Sequence, residues 1–263
     1  MTQIDIMTEL RSAKVVESLK RGTRFGGRKV DEYRDIAVQF NISQNANGSA
    51  RVKLGGTDVI VGTKFEIGKP YEDSPDEGSI SVGAELTPLA SPNFEVGPPQ
   101  PTEVELARVV DRAIRESHCV DLKSFCLTEG EKVLSMYIDA YAITQDGNLL
   151  DATSMAALAT LNNTRLPKVE DGKLIHGEFE GKLKLKNQPL LATFAKVGGT
   201  LLLDPDLGEE TAMHARFSFG STEDGTLVAF QKGGSGGMSM EEISRAIEIG
   251  IKATKENRKK LKE

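Results

Sequence analysis

Residues 151–162, DATSMAALATLN, carry small or aliphatic side chains on nearly every side of a helical wheel. A helix without a polar face has no side to give to water, so it must lie buried between two layers of structure. The rest of the chain supplies those layers. Residues 7–20 keep a loose helical stripe of Leu10, Val15, Val16 and Leu19. From Asp35 the period drops to two, and DIAVQFNIS, SARVKLGGTDVIVGTKFEIG and GSISVGAELTP read as strands joined by Gly and Asn turns. The Pro-rich GPPQP leads into a helix, TEVELARVVDRAIRES (102–117), whose start is marked by Thr102 and Glu105 at capping-box spacing. Two strands, KSFCL and VLSMYIDAYAI, and the turn Asp146-Gly147 then precede the buried helix. A second strand-rich run extends from Glu178 to Phe230. The last segment, SMEEISRAIEIGIKATKENRKKLKE, has Ser239 and Glu242 at capping-box spacing and Ile243, Ile247 and Ile251 as its buried face.

Two short stretches echo each other: KLGGT at 53–57 and KVGGT at 196–200, each at a bend between strands. With strands followed by a helix occurring twice, the consistent picture is a duplicated two-layer α+β architecture. The expected organisation is one domain over residues 1–263, with an N-terminal helical segment at about 1–22 and a C-terminal helix at about 239–260.

The charge balance narrows the function. A net charge of −6 and a pI near 5.4 argue against a general nucleic-acid coat protein, yet leave room for a local basic groove. One candidate groove is visible. Arg108, Arg112 and Arg115, spaced by four and three residues, share one face of the 102–117 helix, opposite Leu106, Val110, Ala113 and Ser117. The stripe is either a solvated face offset by Glu105, Asp111 and Glu116, or a set of guanidinium donors for phosphates. Spacing by itself leaves both open.

Other signals are weaker. The N-terminal segment lacks a signal-peptide apolar core, and no run of roughly 18 apolar residues predicts a membrane span. Cys119 and Cys126 do not suggest a disulfide framework, so the expected location is the cytoplasm. GGSGG at 233–237 has G-x-S-x-G spacing around Ser235, but its helix opens only at Ser239 and no histidine follows, which excludes a hydrolase elbow. His118, His176 and His214 lack zinc-ligand spacing, so no metal site is expected. In LLLDPDLGEE, Asp204 ends an apolar strand, and Asp206, Glu209 and Glu210 follow. Carboxylates there suit a general acid or a Mg²⁺ ligand, although a solvated acidic turn is the favoured reading on spacing alone.

Taken together, RFGGRKVDEYRDIAVQF (24–40), NGSARVKLGGTDVIVGTKFEIGKP (47–70), DGNLLDATSMAALATLNNTRLP (146–167) and LLLDPDLGEE resemble RNase PH-like proteins over nearly the whole chain. The first segment is similar to the family's R-x-D-G-R-x-x-x-E-x-R signature, with Gly26 in place of the usual Asp. The form of ELARVVDRAIRES is similar to the non-catalytic RNase PH-like subunit of the archaeal exosome. That resemblance implies an RNase PH-like fold and a hexameric ring, a trimer of heterodimers with a catalytic RNase PH-like subunit, to which RNA-binding cap proteins can attach. Single-stranded RNA is threaded through such a ring and shortened from its 3′ end by phosphate attack. It also implies arginines before the 102–117 helix and two aspartates six residues apart in active members. Here Pro99 and Gln100 stand at the arginine positions, Asp204 matches the first aspartate, and Glu210 falls at the second. An amide and a proline cannot replace guanidinium donors at a phosphate. The expectation is therefore a chain with no catalytic residues and no cofactor, the inorganic phosphate being used at its partner's site, with Arg108, Arg112 and Arg115 holding RNA phosphates. Were Asp204 and Glu210 joined by another arginine such as Arg165, the chain would instead be an active phosphate-dependent exoribonuclease or nucleotidyltransferase.

Overall fold

The opening helical period forms α1 (Gln3–Lys20), and the change of period near residue 35 is where sheet structure begins. The structure, a computed structural model, describes residues 3–24 and 26–262; Phe25 of the 24–40 motif and the side chain of His176 lie outside the described residues. β1 (Ile36–Phe40), β2 (Gly48–Leu54), β3 (Thr57–Gly68) and β4 (Ser79–Leu86) lead to α2 (Pro101–Glu116). After β5 (Cys126–Thr128) and β6 (Lys132–Thr144) comes α3 (Leu149–Asn163). The hairpin β7 (Arg165–Glu170) and β8 (Lys173–Lys182) precedes β9 (Leu190–Val197), β10 (Thr200–Leu203), α4 (Leu207–Ala212), β11 (Ala215–Ser221), β12 (Leu227–Gly233) and α5 (Met240–Arg258). The strand-rich second run thus starts at Arg165, earlier than Glu178.

The first sheet has the order β1-β2-β3-β6-β4, with β5 also paired to β6; its only parallel pair is β4 with β6. The second sheet is antiparallel, in the order β10-β9-β11-β12. α3 packs on β2 and β3 of one sheet and on β9 of the other. Every residue of α3 except Asn162 is buried, as its all-round apolar surface requires. The echo also has a structural meaning: KLGGT turns β2 into β3 and KVGGT turns β9 into β10, with Leu54 opposite Thr57 and Val197 opposite Thr200.

Three local expectations are corrected. α2 begins two residues earlier than the Thr102/Glu105 cap implied: Gln100 is the N-cap and Pro101, which has no N–H to satisfy, is the first helical residue. The Glu103 carboxylate closes the end, accepting from the Gln100 N–H at 2.6 Å and the Leu86 N–H at 3.0 Å. KSFCL is not one strand, because Leu122–Phe125 winds into a 3-10 turn. There Ser124 bonds back to the Asp121 carbonyl, and Phe125 is buried edge-on against Phe65. In α5 the deepest residues are Ala246, Gly250 and Thr254, while Ile243, Ile247 and Ile251 flank them half-buried. The helix axis lies too close to the sheet for larger side chains on that line: a Cβ on Gly250 would meet the Phe219 ring at 2.5 Å.

Candidate nucleic-acid interface

α2 buries Leu106, Val109, Val110, Ala113 and Ile114 and leaves Arg108, Arg112 and Arg115 exposed. Its orientation is set by contacts to the second sheet. Glu105 Oε1 accepts from Arg216 Nη2 on β11 at 2.6 Å and from Gln231 Nε2 on β12 at 2.8 Å. Burial alone would raise the Glu105 carboxyl, but the Arg216 cation and these bonds hold it below the ordinary range. Arg112 Nη1 donates to the Phe230 carbonyl at 3.1 Å. Arg108 and Arg112 line one open groove with Pro99, Pro101, Val104 and Val109, and the Arg108 guanidinium has no partner among the described residues. Arg115 is set apart: it lines a different depression, and its guanidinium is paired with Asp111 on the preceding turn. Pro99 and Gln100 are both exposed and uncharged; Pro99 lines this groove and Gln100 lines a separate depression.

The acidic segment is not a solvated turn. Asp204 and Glu209 are fully buried, Glu210 is partly buried, and Asp206 caps α4 by accepting from the Glu209 N–H at 2.9 Å. Their partners come from the 24–34 motif. Arg24 forms a fork on Glu209, with Nε to Oε1 at 2.6 Å and Nη2 to Oε2 at 2.7 Å, and also reaches the carbonyls of Leu203 and Asp204. Arg34 wraps Asp204 through its backbone N–H (2.8 Å), Nε (2.9 Å) and Nη2 (2.8 Å), while Arg28 Nη1 adds a contact at 3.2 Å. Asn148 Nδ2 completes the Asp204 shell at 2.7 Å. Asp204 and Asn148 both hold left-handed backbone, φ 52° and 54°, which only this dense bonding sustains. Gly147, at φ 81°, permits the approach, since a Cβ there would lie 2.5 Å from the Leu207 N. Asp151 lies one layer deeper, accepting from Tyr33 Oη (2.7 Å), Asn148 Nδ2 (2.9 Å) and Thr193 Oγ1 (2.7 Å); burial still pushes its carboxyl up to about 6.

Glu210 occupies a particular position. Its Oε1 accepts from the Asn148 N–H at 2.8 Å, at the N-terminus of α3, where the helix dipole and free N–H groups favour an anion. Around it, Thr102, Gln145, Leu149, Leu150 and Arg216 enclose a cavity of only about 60 Å³. Burial pushes the Glu210 carboxyl up to about 7, against the pull of the Asn148 N–H and Arg216. This acid's folded-state pKa lies above its ordinary 4.5, so its contribution to stability is complete below about pH 4.5 and is lost as pH rises to about 7. Glu210→Gln should remove that loss. Urea unfolding across this range is expected to show the variant gaining on the parent by about 2 kcal/mol, and parallel pH profiles would refute it.

The remaining candidates lie apart. Arg165 does not join the acidic cluster; its guanidinium stacks 3.8 Å over the Phe179 ring. His118 and His214 are exposed, and Ser235 sits in the loop before α5. No group of three His, Cys, Asp or Glu side chains among the described residues could hold a metal. Among the described residues, no helix is long and apolar enough to cross a membrane. Cys119 is buried, its thiol pushed up to about 11, and both cysteines are free.

The chain matches the model for domain 1 of the 3′ exoribonuclease family, RNase PH, over residues 32–167, and that for domain 2 over residues 187–253. It belongs to this family. The break between the two matches falls in the β7–β8 hairpin region, where the chain passes from one sheet to the other. Among curated relatives, the exosome complex component Rrp42 of Thermococcus gammatolerans is 42% identical, covering 100% of this chain and 98% of the relative. That of Methanothermobacter thermautotrophicus is 42% identical over 95% and 94%. A chain of the Archaeoglobus fulgidus exosome with RNA bound to the active site superposes with a TM-score of 0.92 at 40% identity, covering 98% of this chain and 100% of that one. An archaeal exosome core chain gives 0.89 at 37% identity, with both chains fully covered.

Proposed function

We propose that the chain is a non-catalytic subunit of a ring-shaped 3′-to-5′ phosphorolytic exosome, which shapes the site of a catalytic RNase PH-like partner and holds RNA by its phosphates. Relatives at 40–42% identity are named as exosome components, and one similar solved chain comes from an exosome with RNA bound. The observation that carries the non-catalytic reading is the filled anion position: Glu210 already sits on the α3 N-terminus. Among the described residues, the arginines beside that position are already paired with carboxylates, and Arg216 keeps only a buried Nε without a partner. Arg216 is held by Glu105, Arg24, Arg28 and Arg34 are consumed by Asp204 and Glu209, and Pro99 and Gln100 add none.

In this reading Arg108 and Arg112 track the RNA backbone toward the partner's site, and Arg115 assists by exchanging Asp111 for phosphate. Inorganic phosphate is consumed at the partner's site, and the chain itself takes no cofactor. Three heterodimers form the hexameric ring, cap proteins attach to it, and the whole works in the cytoplasm. The packing of α3 on β2, β3 and β9 supports reading the chain as one domain.

Phosphate-dependent shortening of labelled single-stranded RNA tests the proposal. The chain alone should be silent, and should raise the activity of a catalytic RNase PH-like partner on mixing. Release of nucleoside diphosphates by the chain unaided would overturn it and make Asp204 and Glu210 chemical groups.

A further inference from the structure

α2 and α3 pack on the inner face of the first sheet, where Val59 and Val61 of β3 and Met136, Ile138 and Ala140 of β6 join one buried cluster with them. Tyr137, Asp139 and Tyr141 alternate with those β6 residues and face outward, the two rings 37% and 40% exposed. Across the strands, Asp139 has Gly62 of β3 on one side and Gly83 of β4 on the other. Tyr137 lies between Lys64 and Ser81, and Tyr141 between Ile60 and Glu85. Residues on one face are about 7 Å apart along a strand, and neighbouring strands about 4.8 Å apart. The carboxylate therefore sits in a notch with a tyrosine at each end and no side chain on either flank. A Cβ on Gly83 would lie 2.7 Å from Asp139 Oδ1, so the carboxylate occupies the space that glycine leaves.

Neighbouring charges on this face have partners: Arg51 and Lys53 hold Asp58, and Lys64 lies 3.8 Å from Glu66. Asp139 makes no hydrogen bond and no ion pair among the described residues. It is half-buried, and that burial together with Glu85 pushes its carboxyl above the ordinary range, an effect Lys64 only partly offsets. A carboxylate held partly out of water without a cation is destabilising, and no contact within the chain compensates. An arginine from outside would. Its planar guanidinium can pair with the carboxylate while lying against tyrosine rings, whose π faces attract cations. RNA phosphates would be repelled by Asp139 and Glu85, and a flat sheet face with mixed charge suits a protein surface. The notch also lies on the opposite side of the sheet from α2, apart from the Arg108 and Arg112 groove.

We propose that Tyr137, Asp139 and Tyr141 receive one arginine side chain of another exosome subunit, its guanidinium placed on the Asp139 carboxylate between the two rings. The inference rests on the exosome-subunit reading given above. It adds to that reading a protein contact on a face that holds no RNA.

Sedimentation of the chain with a catalytic RNase PH-like subunit, and of the resulting complex with RNA-binding cap proteins, gives the affinity of each assembly step. Asp139→Asn keeps the shape of the side chain and should weaken one of these steps about 30-fold. Tyr137→Leu with Tyr141→Leu should weaken the same step about five-fold. The isolated Asp139→Asn chain should unfold at the same urea concentration as the parent or a higher one, because a charge without a partner has been removed. A lower midpoint would make Asp139 a structural residue and overturn the proposal. If both steps are unchanged by Asp139→Asn while mixing with the catalytic subunit still raises RNA shortening, the notch is refuted and the subunit reading survives. If the parent chain joins neither partner, both fall. Loss of RNA binding by an Asp139→Asn complex that assembles normally would give the notch another occupant and overturn the proposal. So would spermidine that protects the parent chain from unfolding but not the Asp139→Asn chain.

Discussion

Replacing Arg24 with methionine is expected to lower the free energy of unfolding by about 4 kcal/mol, because it leaves a buried carboxylate without its cation. The Arg24 and Glu209 side chains are both 0% exposed, and two bonds of 2.6 and 2.7 Å join them. Arg28, whose Nη2 is 3.7 Å from Glu209, can take over only part of the charge because it is already engaged with Asp204. The double change Arg24→Met with Glu209→Met removes both charges and should recover part of the loss: no buried charge is left unpaired, while the Leu203 and Asp204 carbonyls and the Asp206 N–H each lose one partner. Urea unfolding of the parent, both single variants and the double variant gives the coupling energy. A single variant within 1 kcal/mol of the parent would mean that the cluster does not hold residues 24–34 onto the second sheet.

Changing Arg108, Arg112 and Arg115 to alanine together should weaken RNA binding by the assembled complex roughly 30- to 100-fold at 0.1 M salt. Each phosphate contact on a single strand releases a bound counterion and contributes about 0.7 to the slope of log K against log salt. Losing up to three contacts lowers that slope by about 2, so parent and variant should converge as salt approaches 1 M. Arg108, with its free guanidinium, and Arg112, beside it in the groove, should carry most of the effect, and Arg115, already paired with Asp111, the least. All three side chains are exposed, so stability should change by less than about 0.5 kcal/mol for each. Filter binding or anisotropy across a salt series makes the measurement. Undiminished binding and RNA processing at physiological salt would remove these arginines from the RNA path.

The sequence by itself determined those features that rest on neighbours a few residues apart. The all-round apolar surface of residues 151–162 required a layer on each side, and the structure puts α3 between two sheets. Spacings of three and four placed Arg108, Arg112 and Arg115 on the solvent face of α2, and the two Gly-Gly turns closed equivalent hairpins. Helical and strand periods, caps and tight turns are local properties, so they survive in a one-dimensional reading.

Only the tertiary structure decided where the charges went. Asp204 and Glu209 looked like a solvated turn because their partners, Arg34 and Arg24, stand 170 and 185 residues away, and no spacing rule connects segments so distant. The same holds for Glu210, whose carboxylate meets the α3 N-terminus 62 residues back along the chain. Close approach likewise chose Ala246 and Gly250 over the isoleucines as the deepest line of α5, since the distance of a helix from its sheet is a property of the packed layers. Burial turns a distant opposite charge from an irrelevance into a necessity, because an ion that has left water must find its partner inside the fold.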